Sequence, residues 1–190
     1  LRGSWLDAYP VYDEVHVELG CGKGRFTCDM AEQNPRVLFA AVEKVPDALV
    51  VAMERACERG LTNVRFLAKD AASLAEYFAP AEVSRIYINF PDPWPKKKQF
   101  KRRLTAPSFQ RLCAAALAPG GEIWFKTDNS PLFEWSVEQL AAGGWELREV
   151  TRDLHGNGPV GVMTDYEAKF HAQGVKINRL VAVKGENTLC

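Results

Sequence analysis

The sequence predicts an α/β fold in which a mainly parallel sheet carries helices on both faces. Short apolar runs of strand length alternate with segments whose apolar residues recur at helical spacing. Prolines and glycines separate these segments at the positions where helices begin or end. This alternation is typical of βαβ units, which assemble into a parallel sheet whose ligands bind at the carboxyl ends of the strands.

The individual elements follow from periodicity and from local start and stop signals. Pro46 suits a first helical turn, Gly60 a helix end and Asn129 a helix cap. Residues 1–14 are interpreted as a loose lead-in, and 152–165 as a glycine-rich loop. The predicted strands cover 15–19, 38–42, 63–67, 85–88, 122–126, 146–150 and 176–184. The predicted helices cover 25–33, 46–60, 74–78, 108–117, 129–142 and 166–171.

Length and composition favour one globular domain, spanning 1–190. A chain of 190 residues with 47% apolar residues buries about 70% of its unfolded surface in one core. Five cysteines, an odd number without a C-x-x-C pair, indicate free thiols in a reducing cytoplasm and no zinc site. No long apolar run and no signal-peptide pattern occur, so we expect a cytoplasmic protein without membrane or metal partners.

A glycine-rich turn follows the first predicted strand. Gly20, Gly22 and Gly24 allow the backbone to approach a ligand closely, but their spacing differs from the G-x-G-x-x-G dinucleotide pattern. Glu43, at the end of the second strand, suits a ribose diol, and Asp70 after the third suits an adenine edge. These residues indicate an adenosine-containing ligand, and they do not separate NAD from S-adenosylmethionine.

A proline-rich stretch after the fourth predicted strand dominates the second half of the sequence. Three prolines at 91, 93 and 95 exclude a helix or a central strand and stiffen the loop that holds Asp92 and Trp94. The Trp94 ring suits either stacking on a base or plugging the loop from below. Six cations follow within eight residues, which is typical of a phosphate-binding patch: Lys96, Lys97, Lys98, Lys101, Arg102 and Arg103.

Five segments together resemble the bacterial tRNA (guanine-N7-)-methyltransferase family. They are E-L-G-C-G-K-G at 18–24, V-E-K at 42–44, N-F-P-D-P-W-P-K at 89–96, T-D at 127–128 and T-D-Y-E-A-K-F at 164–170. The resemblance implies a class I methyltransferase Rossmann-like fold with seven strands, the last inserted antiparallel. It also implies S-adenosylmethionine as cofactor, and methyl transfer to a guanine in the variable loop of tRNA.

The resemblance assigns roles to particular positions. Asp92 matches the catalytic residue, and the glycines and Lys44 belong to the cofactor turn and the ribose-binding segment. The family's cofactor-contacting acids correspond to Glu18, Glu43, Asp70 and Asp92. Its substrate-contacting positions correspond to Lys96, Asp128, Thr164, Asp165, Tyr166 and Glu167. Two departures are Gln99, where the family often has His, and a short arm before the first strand.

Two other functions compete with this prediction. One is a cofactor-binding subunit that contacts RNA without activity of its own. The other is an exocyclic-amine methyltransferase, whose N/D-P-P-Y/F/W motif after the fourth strand matches Asn89-Phe90-Pro91-Asp92 poorly. The sequence leaves open whether the protein is a monomer or a homodimer.

Overall fold

The computed structural model of the protein describes residues 1–188 and confirms the predicted fold class. Within that range it contains seven strands and seven α-helices. The strands are β1 Glu14–Leu19, β2 Val37–Glu43, β3 Val64–Ala68, β4 Val83–Asn89, β5 Leu117–Thr127, β6 Glu146–Thr151 and β7 Asn178–Val183. The helices are α1 Trp5–Ala8, α2 Arg25–Gln33, α3 Pro46–Glu58, α4 Leu74–Tyr77, α5 Pro107–Ala116, α6 Ser130–Ala142 and α7 Asp165–Ala172.

All seven strands form one sheet in the order β3-β2-β1-β4-β5-β7-β6. The first five strands pair in parallel, and β7 is antiparallel to both β5 and β6. The chain builds outward from β1 to β3 and then returns to place β4 on the other side of β1. The carboxyl ends of β1 and β4 therefore lie side by side at the switch point, where α/β sheets bind ligands.

Each face of the sheet buries its own apolar cluster. Alternate strand residues point to opposite faces, so Val17 and Ile86 pack with α1, α4, α5 and α6, whereas Phe39 and Tyr87 pack with α2 and α3. This two-sided burial explains why the central strands are apolar on both faces. No helix among residues 1–188 is both long enough and apolar enough to span a membrane.

The first segment corrects the expectation of a loose lead-in. Trp5 in α1 is 2% exposed and stacks on Phe78, with ring centroids 5.3 Å apart. Its indole Nε1–H donates to the Tyr77 carbonyl at 2.9 Å, and its backbone N–H donates to the Glu82 carboxylate at 2.9 Å. A buried aromatic ring with its polar groups satisfied fixes this segment against α4 and the start of β4.

Two other elements differ from the sequence-based expectation. The break expected at 119–121 lies inside β5, which begins at Leu117 and pairs with Val83 before the register shifts. A left-handed Gly120 absorbs that irregularity. The basic segment Lys97–Arg102, for which no regular structure was expected, forms a 3₁₀ helix.

Candidate active site

A cleft of about 570 Å³ lies at the carboxyl ends of β1, β2 and β4. It brings together predicted site residues that are distant in sequence. Those on its walls are Gly20, Glu43, Lys44, Asp70, Asp92, Lys101, Arg102 and Arg103. The sequence interpretation assigned no role to Asn89, Phe90 or Lys69, which also line it.

Gly20, at the start of the glycine turn, lies on one wall of this cleft, and Gly22 lines a smaller neighbouring cleft. Gly20 and Gly22 have φ of +76° and +54°, and no atom lies within 4 Å of the place a Cβ would occupy on either. Gly22 N–H donates to Glu43 Oε2 at 2.9 Å, and Val45 N–H donates to Glu43 Oε1 at 2.9 Å. The Glu43 carboxylate thus ties the turn to the end of β2 and keeps unused lone pairs on both oxygens.

Gly24 has a packing role, although it was predicted to contact the cofactor. It is buried with φ of +75°, and a Cβ there would lie 2.6 Å from the Cβ of Ala52. The glycine therefore allows the start of α2 to approach α3. The structure thus gives Gly24 a packing role, and its contact with the cofactor stays a prediction.

Glu18 is 2% exposed and acts as a buried junction between three elements. Its carboxylate accepts hydrogen bonds from Asn89 Nδ2 at 2.9 Å and from the Thr27 hydroxyl. Burial raises the pKa of Glu18 to about 7, against the opposing effects of those hydrogen bonds and of the nearby Lys126 ammonium. This group joins the ends of β1 and β4 to α2 and borders a second, smaller cleft.

Asp70 and Lys44 form an exposed pair on the rim of the main cleft. The Asp70 carboxylate accepts from Ala72 N–H at 2.9 Å and lies 3.8 Å from the Lys44 ammonium. The side chain thereby caps the 3₁₀ turn after β3. Both side chains remain more than half exposed, so a ligand in the cleft has access to them.

The proline loop forms the opposite wall. Phe90 and Trp94 have φ of +51° and +43°, a left-handed conformation that residues other than glycine adopt at a cost. Phe90 N–H donates to the Lys126 carbonyl at 2.8 Å, which continues the β4–β5 pairing into the loop. Asp92, between these residues, is exposed on the cleft wall.

The cations after the loop divide into two groups. Lys96, Lys97, Lys98, Lys101 and Arg102 are exposed, and the guanidinium of Arg102 lies 3.9 Å from the centre of the Trp94 ring. The Trp94 side chain lines the cleft, and its ring makes a cation–π contact with Arg102. The exposed group keeps its predicted access to phosphates.

Arg103 is buried, unlike the other cations of the predicted phosphate-binding patch. It is 4% exposed, and its Nε and Nη2 donate to the carbonyls of Pro93 and Trp94 at 2.9 and 3.3 Å. Its guanidinium carbon lies 3.6 Å from the Phe100 ring centre and 4.6 Å from that of Trp135. Burial lowers the pKa of this guanidinium. The guanidinium of Arg103 is therefore engaged by groups of the protein itself.

A second cleft of about 250 Å³ adjoins the first and shares Gly20, Asn89 and Phe90 with it. Its far wall is the start of α7, where Tyr166 is 42% exposed. The Tyr166 hydroxyl donates to Asp128 Oδ2 at 3.2 Å, and its ring lies 5.0 Å from that of Phe90. Asp128 is thus connected to this cleft by its hydrogen bond to Tyr166, which lines it.

The other residues of the 164–167 segment hold α7 in place. Thr164 and Glu167 form a capping box, and Asp165 pairs with Arg55 at 2.9 Å. Glu167 is completely buried and pairs with the Lys126 ammonium, as well as with His155 at 2.8 Å. The Glu167 carboxylate is therefore used within the protein, and its substrate contact stays a prediction. Thr164, Asp165 and Tyr166 all line the second cleft.

Comparison with known proteins identifies the class first. The family described as "Putative methyltransferase" matches residues 12–180, which is most of the chain. The solved structure of the 16S rRNA methyltransferase KamB superposes with a TM-score of 0.73 at 20% identity, covering 96% of this chain and 93% of that one. The protein is a methyltransferase of the Rossmann-like class.

Sequence relatives then define the family. The tRNA (guanine-N(7)-)-methyltransferase of Geobacillus kaustophilus is 46% identical over 184 residues, which cover 96% of this chain and 85% of the relative. The protein of the same name from Lachnoclostridium phytofermentans is 43% identical over 185 residues, covering 96% and 86%. The chain belongs to the tRNA (guanine-N(7)-)-methyltransferase family, which confirms the resemblance found in the sequence.

Proposed function

We propose that this protein transfers a methyl group from S-adenosylmethionine to N7 of a guanine in the variable loop of tRNA. The observation that carries the proposal is the 43–46% identity, over nearly the whole chain, to proteins that bear the name of this activity. The site supports it, because one cleft unites the glycine turn, an acid at the end of β2 and Asp92 beside exposed cations.

The residues of the main cleft fit S-adenosylmethionine. The open space beside Gly20 in this cleft, and beside Gly22 in the neighbouring one, leaves room for a ligand to lie against the backbone. Glu43, whose carboxylate keeps unused lone pairs, would accept the ribose hydroxyl protons. Asp70 would face the adenine. When bound, this cofactor supplies an electrophilic methyl group on a sulfonium.

The chemistry of guanine N7 matches what the chain offers. N7 carries an in-plane lone pair and no proton, so its methylation requires alignment more than a general base. Within residues 1–188 no histidine lines either cleft. The base becomes cationic as the methyl group arrives, and the Asp92 carboxylate would stabilise that charge by accepting from the N1–H and N2–H edge. Asp128, held by Tyr166, is the second candidate for that contact.

The exposed cations beside the proline loop supply affinity for a polyanion. Lys97, Lys98 and Lys101 lie on the 3₁₀ helix directly after the loop that holds Asp92. Phosphates bound there would bring a nucleotide of the same RNA to the mouth of the cleft. Net charge is zero over the whole chain, so this local concentration of cations would orient the tRNA.

Methylation of tRNA transcripts made with 7-deazaguanosine tests the position of the reaction. The protein should methylate an ordinary transcript, giving N7-methylguanosine by nucleoside mass spectrometry. It should leave the 7-deaza transcript unmethylated, since that base has carbon in place of N7. Mass mapping of nuclease fragments should place the product in the variable loop.

The same experiment separates the competing functions. An exocyclic-amine methyltransferase would modify both transcripts, and an inactive subunit would modify neither. Calorimetry with S-adenosylmethionine and with NAD tests the cofactor directly. Binding of NAD without a response to S-adenosylmethionine would contradict the proposal.

A further inference from the structure

We infer that Arg103 is a positioning residue for methyl transfer, which clamps the loop carrying Asp92 from inside the protein. This inference rests on the proposed function and assigns a role to a cation that the sequence pattern grouped with the phosphate-binding residues. The clamp defines a division of labour within the basic segment. The exposed cations meet the RNA, and the buried one holds the catalytic loop.

The contacts of Arg103 are those of an internal clamp. Two donors on one edge of its guanidinium reach the consecutive carbonyls of Pro93 and Trp94. The guanidinium lies close to the ring of Phe100, on the 3₁₀ helix that Arg103 directly follows, and to the ring of Trp135 on α6. These two rings pack edge to face, with centroids 5.5 Å apart. The arginine thus connects the proline loop to α6 on one face of the sheet.

The loop requires stabilising contacts from outside because its own backbone conformation is energetically unfavourable. Phe90 and Trp94 are aromatic residues in the left-handed region, where side chains clash with the backbone. The prolines contribute no backbone N–H, so few internal hydrogen bonds fix the loop's path. The carbonyl of Pro93, which directly follows Asp92, is one of the two that Arg103 holds. Release of this carbonyl would free the Asp92 carboxylate to leave its place on the cleft wall.

Arginine and lysine differ in the features that the clamp uses. A guanidinium is planar, donates two parallel hydrogen bonds and stacks on aromatic rings, whereas an ammonium is a point charge. A phosphate contact at this position would survive replacement by lysine, because lysine keeps the charge. The clamp would be lost in the lysine variant, because an ammonium does not provide the planar pair of donors that the two carbonyls and the rings require. Arg103→Lys therefore separates the two roles.

We expect Arg103→Lys to lower kcat about ten- to a hundredfold at saturating S-adenosylmethionine and tRNA, since small displacements of a catalytic group have effects of this size. The tRNA Kd should change less than about threefold, and the slope of log Kd against log salt should stay unchanged. Hydrogen exchange of the peptide spanning 90–100, which contains the proline loop, should accelerate in the variant. A wild-type kcat, or a salt slope lower by about one in Arg103→Gln, would overturn the inference.

Arg85→Lys is the matched control for general destabilisation. Arg85 is half-buried, lies 4.4 Å from the Trp124 ring centre and pairs with Glu122, at the end of β4 opposite the site. Its variant should lose stability and keep wild-type kcat and wild-type exchange in the proline loop, at 90–100. If Arg103→Lys does not fold, Trp135→Leu removes one ring of the clamp and should lower kcat several-fold without changing tRNA Kd. An unchanged kcat in Trp135→Leu would then overturn the inference.

The two proposals fail in different ways. Absence of methylation by the wild-type protein would contradict the proposed function, while the exchange comparison between Arg103→Lys and Arg85→Lys would still test the clamp. Active wild-type protein with equal exchange in both variants would contradict the clamp alone.

Discussion

The two walls of the main cleft are held in place by different kinds of interaction. The glycine wall is fixed by its own backbone and by buried carboxylates, because Gly22 donates to Glu43 and Glu18 joins β1 to Asn89. The proline wall has a strained backbone with few donors of its own, and side chains from outside the loop hold it. The glycine wall is therefore stabilised by hydrogen bonds to its own backbone and to neighbouring strand ends, and the proline wall by the Arg103 side chain, which lies outside the loop.

This difference determines how each wall responds to substitution. Changes in the glycine wall should appear first as lost stability, since its parts belong to the packing of α2 and α3 on the sheet. Changes in the proline wall should appear first as lost turnover, since its parts lie outside the two apolar clusters. The predictions below test that contrast.

Gly24→Ala should have the largest effect on stability. The new Cβ would lie 2.6 Å from that of Ala52 in a left-handed conformation. Strain and overpacking together should lower the free energy of unfolding by about 2 to 5 kcal/mol, measured with urea. Gly60→Ala is the control, because its φ of +63° is similar and no atom lies near its Cβ position. It should cost about 1 to 2 kcal/mol from strain alone. Equal losses in the two variants would show that contact with Ala52 is unimportant.

Asp92→Asn should lower kcat by about a hundredfold or more, as expected for loss of one preorganised electrostatic contact. The replacement keeps the size of the side chain and removes its charge, and Asp92 lies outside both apolar clusters, so stability should change little. The assay should be run at saturating S-adenosylmethionine, because Asp92 lines the main cleft, where the cofactor is proposed to bind. A near wild-type rate would show that Asp92 only shapes the loop. Asp128 would then be the better candidate for the contact with the guanine.

Glu18→Gln should alter the pH dependence of stability. The folded pKa of Glu18, about 7, exceeds its ordinary value, so the folded protein binds this proton more tightly than the unfolded chain does. That stability is fully present below the ordinary pKa and is lost as pH rises through about 7. A glutamine cannot ionise, and the Thr27 hydroxyl can accept from its amide. The Tm of the variant relative to wild type should therefore rise between pH 5 and 8, and parallel profiles would contradict this account.

The sequence predicted the parts of the site that are local in the chain. Strand ends, the glycine turn and the acids after β2 and β3 follow from periodicity and residue type, and the structure places Glu43, Asp70 and Asp92 on one cleft. The sequence alone could not show that Arg103 is buried while the neighbouring cations are exposed, because burial of that side chain depends on Trp135, a residue of a different helix. The same holds for Glu167, whose partners Lys126 and His155 lie on β5 and in the loop after β6.

Replacement of Lys97, Lys98 and Lys101 by Gln should have the smallest effect on the enzyme itself. These side chains are exposed on the 3₁₀ helix, outside the clamp that holds the proline loop. If about 3 to 5 cations meet phosphates, log K for wild type should fall against log salt with a slope of about −2 to −4. The triple variant should flatten this slope by about 2, while its affinity for S-adenosylmethionine and its kcat at saturating tRNA stay unchanged.

The control for this variant removes the same charge from the opposite edge of the sheet. Arg36 precedes β2, Arg148 lies near the start of β6 and Lys184 follows β7, so all three are far from the carboxyl ends of the parallel strands. Their replacement by Gln should leave the salt slope at its wild-type value, because they lie away from the cleft. An equal change in both triple variants would mean that net charge governs tRNA affinity. An unchanged slope in the Lys97, Lys98 and Lys101 variant would place the tRNA on another surface and remove the proline wall's role in binding it.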